Sequence, residues 1–117
     1  MNVTDWLSAL HHEAQNRAYI GRLTVLDHSA SLLKVRLYIA ADLFVQVYRN
    51  NRFDTTNLVL MYNEQRLYAR DQLAGAWHRH TPAAPESHDT GAEGRRPVSL
   101  GEFLDEVEDV LAALGLP

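Results

Sequence analysis

The side chains best able to do chemistry crowd between Tyr68 and His88: Tyr68, Arg70, Asp71, Trp77, His78, Arg79, His80 and His88. His78 and His80 are two positions apart, so in extended backbone both imidazoles project to the same side. Imidazole titrates near neutral pH and can therefore both take and return a proton. One chemistry that follows is RNA cleavage without a cofactor. His78 and His80 would act as base and acid on a ribose 2′-hydroxyl and its leaving oxygen, and Arg70 or Arg79 would stabilise the developing phosphorane charge. Tyr68 and Trp77 would position the base. The same donors also suit a divalent metal, with Asp71, His78, His80 and His88 as its ligands. A purely structural account stands beside both. A His-x-His pair arises by chance, and Trp77 can simply plug the open end of a sheet.

A second candidate is a polar sheet face. Lys34, Arg36 and Tyr38 alternate along one strand, Phe44, Gln46 and Tyr48 along the next, and Arg66, Tyr68 and Arg70 along a later one. Basic groups interleaved with aromatics suit single-stranded RNA, whose phosphates need neutralising and whose bases stack. The alternatives are an ordinary solvated face or a covering helix that makes Phe44 and Tyr48 core. The third feature is the acidic run Asp105, Glu106, Glu108 and Asp109, either solvated or a dock for a basic partner.

These groups need elements to hold them. Thr4 to about Tyr19 reads as a helix, with Thr4 as N-cap. From Ile20 the period changes to two. Strands are expected at Arg22–His28, around Leu33–Ile39, at Phe44–Arg49, at Leu58–Tyr62 and at Arg66–Arg70. Their connections are too short for parallel crossovers, so the order is an antiparallel meander. Asp71 to Pro97 reads as a long irregular loop in which Pro82, Pro85 and Pro97 interrupt regular structure. Ser99 and Glu102 form a capping box for a last helix, which Gly115 stops. The expected fold is α+β: about five antiparallel strands with an N-terminal and a C-terminal helix packed on them, in one domain over residues 1–117.

Composition sets the outer bounds. The chain has 117 residues, no cysteine, 46% hydrophobic and 22% charged residues, which is globular composition. Disulfide scaffolds, cysteine nucleophiles and cysteine zinc sites are excluded. The net charge of −4 is uneven, with residues 1–80 mildly basic and residues 81–117 strongly acidic. A local basic face is compatible with that asymmetry. No Gly-x-Gly-x-x-Gly, P-loop, Gly-x-Ser-x-Gly or zincin spacing occurs. The start Met1-Asn2-Val3-Thr4-Asp5 lacks a basic segment leading into an apolar one, and no apolar run is long enough to span a bilayer. A cytoplasmic location without membrane association is expected.

The stretch Arg66-Leu67-Tyr68-Ala69-Arg70-Asp71, through Ala76-Trp77-His78-Arg79-His80, to Pro82, Pro85 and His88 resembles the TumE-like family. These are small proteins, many of them presumed toxins of toxin–antitoxin pairs. Leu37-Tyr38-Ile39 and Val47-Tyr48-Arg49 fit the family's order of elements, and the likeness covers roughly residues 20–113. The matching positions are Asp71, Trp77, His78, His80 and His88. Gln72-Leu73 and Thr81 depart from the family pattern. The resemblance implies a toxin-like protein with a cognate antitoxin as partner and RNA as target. A non-catalytic binding module, using the polar sheet face or the acidic helix, is the alternative, and self-association into a homodimer is left open.

Overall fold

The structure, a computed structural model, describes residues 2–89 and 91–117, and the side chains of all of these except Pro85, Glu86 and His88. The sequence order is α1 (Val3–Asn16), β1 (Arg22–His28), β2 (Leu32–Ala40), β3 (Leu43–Asn50), β4 (Thr55–Tyr62), β5 (Gln65–Leu73), β6 (Ala76–Thr81), β7 (Ala84–Asp89) and α2 (Leu100–Leu114). All strands lie in one antiparallel sheet in chain order, as a meander must. The α+β class with a helix from each end of the chain is as expected.

The strand count is higher than about five, because the expected loop after Asp71 is largely sheet. Ala74 and Gly75, at φ 50° and 85°, form a two-residue turn with both residues left-handed. That turn matches the twist of the flanking strands, so β5 runs on through Asp71 to Leu73 and returns as β6. Pro82 and Ala83 then turn the chain into β7. Pro85 is tolerated there because β7 is the sheet edge, where a missing N–H breaks no ladder. Asn63 and Glu64, at φ 50° and 65°, make the expected tight turn between β4 and β5.

Helix α1 is capped by Asn2 rather than Thr4. The Asn2 side chain accepts from the Asp5 N–H at 2.8 Å while the Asp5 carboxylate accepts from the Asn2 N–H, a reciprocal box. The helix stops at Asn16, short of Tyr19, where Arg17 turns extended and ties Glu13 to Asp105 of α2 at 2.6 and 2.8 Å. Helix α2 has the expected Ser99–Glu102 box and a left-handed Gly115 at its end. No helix among the described residues is long and apolar enough to cross a membrane.

Both helices lie on one face of the sheet. There Val3 and Leu10 of α1 and Phe103, Leu104, Val107 and Leu111 of α2 bury Leu33, Val35, Leu37, Val45, Val47, Leu58 and Leu60. The opposite face carries the alternate residues and, among the described residues, no helix; it is open, with half-buried side chains, over β2–β4 and closed around Ala69, Asp71, His78 and His80. Strand β5 does not keep a simple alternation. Met61 pairs with Arg66 but Leu60 pairs with Tyr68, so Leu67 is an extra residue, a β-bulge. Past the bulge Tyr68 and Arg70 turn toward the helices and Ala69 and Asp71 toward the open face.

Arg70 is accordingly a core residue, with no exposed surface. Its Nε and Nη2 donate to the Glu106 carboxylate at 3.0 and 2.8 Å, and its Nη1 donates to the Glu93 carbonyl at 2.6 Å. Burial works against its charge, but the hydrogen bonds to Glu106 and Glu93 outweigh it and raise its pKa. Tyr68 stacks on Phe103 with ring centroids 5.8 Å apart and donates its hydroxyl to Glu106 at 2.7 Å.

Candidate functional site

Antiparallel pairing places residues of successive strands opposite one another on the open face. Lys34 faces Tyr48, Tyr48 faces Asn57, Asn57 faces Asp71, and Asp71 faces His78. The neighbouring row runs Arg36, Gln46, Val59, Ala69, His80. With strands about 4.8 Å apart, two parallel tracks cross the sheet from the basic side chains of β2 to the histidines of β6.

At their β6 end the tracks converge. The Oδ2 of Asp71 lies 3.7 Å from His78 Nε2 and 3.4 Å from His80 Nε2. One donor atom from each residue lies within 4.8 Å of the others. The two imidazoles stand nearly perpendicular, at 77°, with centroids 5.7 Å apart. The site is almost closed: His80 is 1% exposed, Asp71 6% and His78 9%. Ala69, beside His80 on the same face, is fully buried as well. The other oxygen of Asp71, Oδ1, accepts a hydrogen bond from Asn57 Nδ2 at 2.9 Å. That contact fixes the carboxylate plane so that Oδ2 faces the imidazoles.

Asn57 was not among the sequence candidates. The strand expected from the sequence began at Leu58 and left it outside, whereas it lies inside Thr55–Tyr62, where an asparagine is disfavoured and a polar partner is to be expected.

The structure divides the sequence-predicted site. Asp71, His78 and His80 come together; the His88 side chain lies outside the described residues. Arg70 and Arg79 do not join them, because adjacent residues in a strand face opposite sides. Arg70 is spent on α2, and Arg79 pairs with Asp89 at 2.9 Å. Neither guanidinium sits beside the histidines to stabilise a phosphorane. Trp77 faces Gln72 on the helix side and packs against the core, and Tyr68 is core as well. Base positioning by these two rings is therefore not supported by their placement.

The polar face is arranged as expected on β2 and β3. Arg36 donates to Gln46 Oε1 at 3.0 Å and to the Tyr38 hydroxyl at 3.2 Å, and lies 4.4 Å over the Phe44 ring. Arg22 lies 4.5 Å over Tyr38. Phe44 and Tyr48 are half-buried and no helix covers them. Arg66 belongs to this face through its pairing with Met61, whereas Tyr68 and Arg70 leave it at the bulge. Most acids of α2 are engaged within the chain: Asp105 and Glu108 with Arg17, Glu102 and Glu106 with Arg96.

Comparison with known protein families, with curated proteins and with solved structures finds no match in any of the three, and none of them identifies the TumE-like family.

Proposed function

We propose that the protein binds single-stranded RNA across the open sheet face and cleaves it at the Asp71–His78–His80 centre. The observation that carries this reading is the pair of tracks leading from Lys34 and Arg36 to a convergent, nearly buried carboxylate and two imidazoles. The cations at one end neutralise phosphates, Tyr48 between them offers a ring to a base, and the reactive groups lie at the other end. The acids of α2 lie on the far side of the sheet, away from Lys34 and Arg36. In the reaction the ribose 2′-oxygen attacks phosphorus and the bond to the 5′-oxygen breaks. The proton lost by the 2′-hydroxyl is balanced by one gained at the leaving oxygen. The TumE-like resemblance points to the same target, with an antitoxin that would act by covering this face.

The test is salt-dependent binding of a fluorescent single-stranded RNA, with cleavage read on a gel. Each phosphate contact to a single strand contributes about 0.7 to the slope of log affinity against log salt. Lys34→Ala and Arg36→Ala should each flatten that slope by about this amount. Asp71→Asn should bind like the wild type and fail to cleave. Unchanged slopes in both basic-residue variants, or absence of RNA binding at low salt, would overturn the reading.

A further inference from the structure

We infer that Asp71, His78 and His80 form a binding site for a single divalent transition-metal ion of the zinc type, with Asn57 as the residue that orients the carboxylate. A hydrogen bond from imidazole to carboxylate needs about 2.7–3.2 Å, and the two separations here are 3.7 and 3.4 Å. A tetrahedral ion with bonds of about 2.0–2.1 Å sets its ligand atoms about 3.3–3.4 Å apart. Two edges of the triangle are therefore already near the length an ion requires. The third closes by small rotations of the imidazoles, since the three donor atoms lie within 4.8 Å.

Donor chemistry selects the ion. Two imidazoles and one carboxylate favour zinc and its neighbours, whereas magnesium and calcium prefer oxygen sets. Among the described residues three protein ligands come together, and a set of three leaves a position for water or a phosphoryl oxygen, the pattern of a reactive rather than a structural site. The Asn57 amide holding Oδ1 is the outer contact that tunes such a ligand. The backbone also pre-sets the ligands, because Asp71 and His78 are a cross-strand pair and His80 is two residues farther along the same strand face.

As a site for the reaction above, this inference rests on the RNA reading; as a metal site it stands on geometry alone. It supplies what Arg70 and Arg79 cannot, a positive charge at the centre. A bound cation lowers the pKa of an oxygen nucleophile and neutralises charge on the phosphoryl oxygens. The cofactor-free chemistry expected from the sequence gives way to metal-assisted chemistry, with the imidazoles as ligands.

The experiment is isothermal titration of the chelator-stripped full chain with Zn2+ in the absence of RNA. Co2+ substitution provides an absorption spectrum of the site. One equivalent of Zn2+ should bind, and Co2+ should give the visible bands of a four- or five-coordinate site. His78→Ala, His80→Ala and Asp71→Asn should each weaken binding by more than about 100-fold, and Asn57→Ala by about 10-fold. His11→Ala/His12→Ala, on the exposed face of α1, should leave it unchanged and so separates this centre from a surface histidine pair. Far-UV circular dichroism checks that each variant folds, and the wild-type Co2+ spectrum decides the question if a variant does not. Absence of stoichiometric Zn2+ binding, or affinity unaltered in folded His80→Ala, would overturn the inference. Zn2+ binding without RNA cleavage would leave the metal site standing and sink the RNA reading. RNA cleavage that persists in chelator would leave the RNA reading standing and overturn the metal's part in it, while the Zn2+ titration alone decides the metal site.

Discussion

Removing the Glu106 carboxylate should destabilise the fold far more than its place on a helix surface suggests. Glu106 is the only α2 acid that reaches Arg70 among the described residues, through two charge-assisted hydrogen bonds at 3.0 and 2.8 Å, and it accepts a third from Tyr68 at 2.7 Å. Breaking a buried ion pair on one side costs about 3–5 kcal/mol, because the other charge stays buried. Arg70 keeps Glu93, through its carbonyl and its carboxylate at 2.6 and 2.9 Å. The lower end, about 3 kcal/mol, is therefore the expectation for Glu106→Ala. With a urea dependence of about 1.5 kcal/mol per molar, the unfolding midpoint should fall by about 2 M. Arg70→Met should cost less, since Arg96 still holds Glu106 at 3.0 Å. The double variant Arg70→Met/Glu106→Leu should recover much of the loss, as apolar replacements of buried pairs do. Urea unfolding followed by circular dichroism and tryptophan fluorescence reads all three. A loss below about 1 kcal/mol in Glu106→Ala, or strict additivity in the double variant, would refute the claim that this pair is buried and coupled.

Two further expectations concern stability. The Glu93 carboxyl is held down at about 2, first by the hydrogen bond from Arg96 and then by that from Arg70, below its ordinary 4.5. A depressed folded-state value means its contribution is complete above pH 4.5 and disappears as pH falls toward 2. Urea midpoints across that range should fall less steeply for Glu93→Gln than for the wild type, and equal slopes would contradict the assignment. At the β5–β6 turn, Ala74→Asn should stabilise by about 0.5 kcal/mol, because asparagine tolerates the left-handed backbone that alanine adopts there at φ 50°. A thermal melt with no rise in midpoint would count against that turn geometry.

The meander and both helices were legible because each has a local signature. Leu33, Val35 and Leu37 alternate cleanly, and Ser99 with Glu102 marks a helix start. The β5–β6 hairpin was not legible, since the Ala74-Gly75 turn lacks the asparagine or aspartate that announces such a bend, and β7 was hidden by Pro82 and Pro85, which suggested irregular chain. The histidines were placed on one face correctly, as period-two spacing requires. Their surroundings were not. Alternation counted through Arg66, Tyr68 and Arg70 puts all three on one face, and only the extra residue Leu67 breaks the count. Bulges carry no reliable sequence mark, so Arg70 was assigned to the histidines although it belongs to Glu106. Asn57 was missed because its meaning depends on which strand lies beside it.

The bulge at Leu67 also makes the sheet read its own charge pattern. A regular hairpin continued from the Tyr62–Gln65 pair would set Arg70 opposite Asn57 and Asp71 opposite Thr56. In that slipped alignment Asp71 would turn to the helix side, at the position Gln72 holds now, and Arg70 would turn to the open face. The extra residue thus decides which charge faces which side: with it Arg70 meets Glu106 of α2 and Asp71 lies beside His78 and His80. One inserted residue thereby sorts two neighbours of opposite charge, Arg70 and Asp71, onto opposite sides of the sheet.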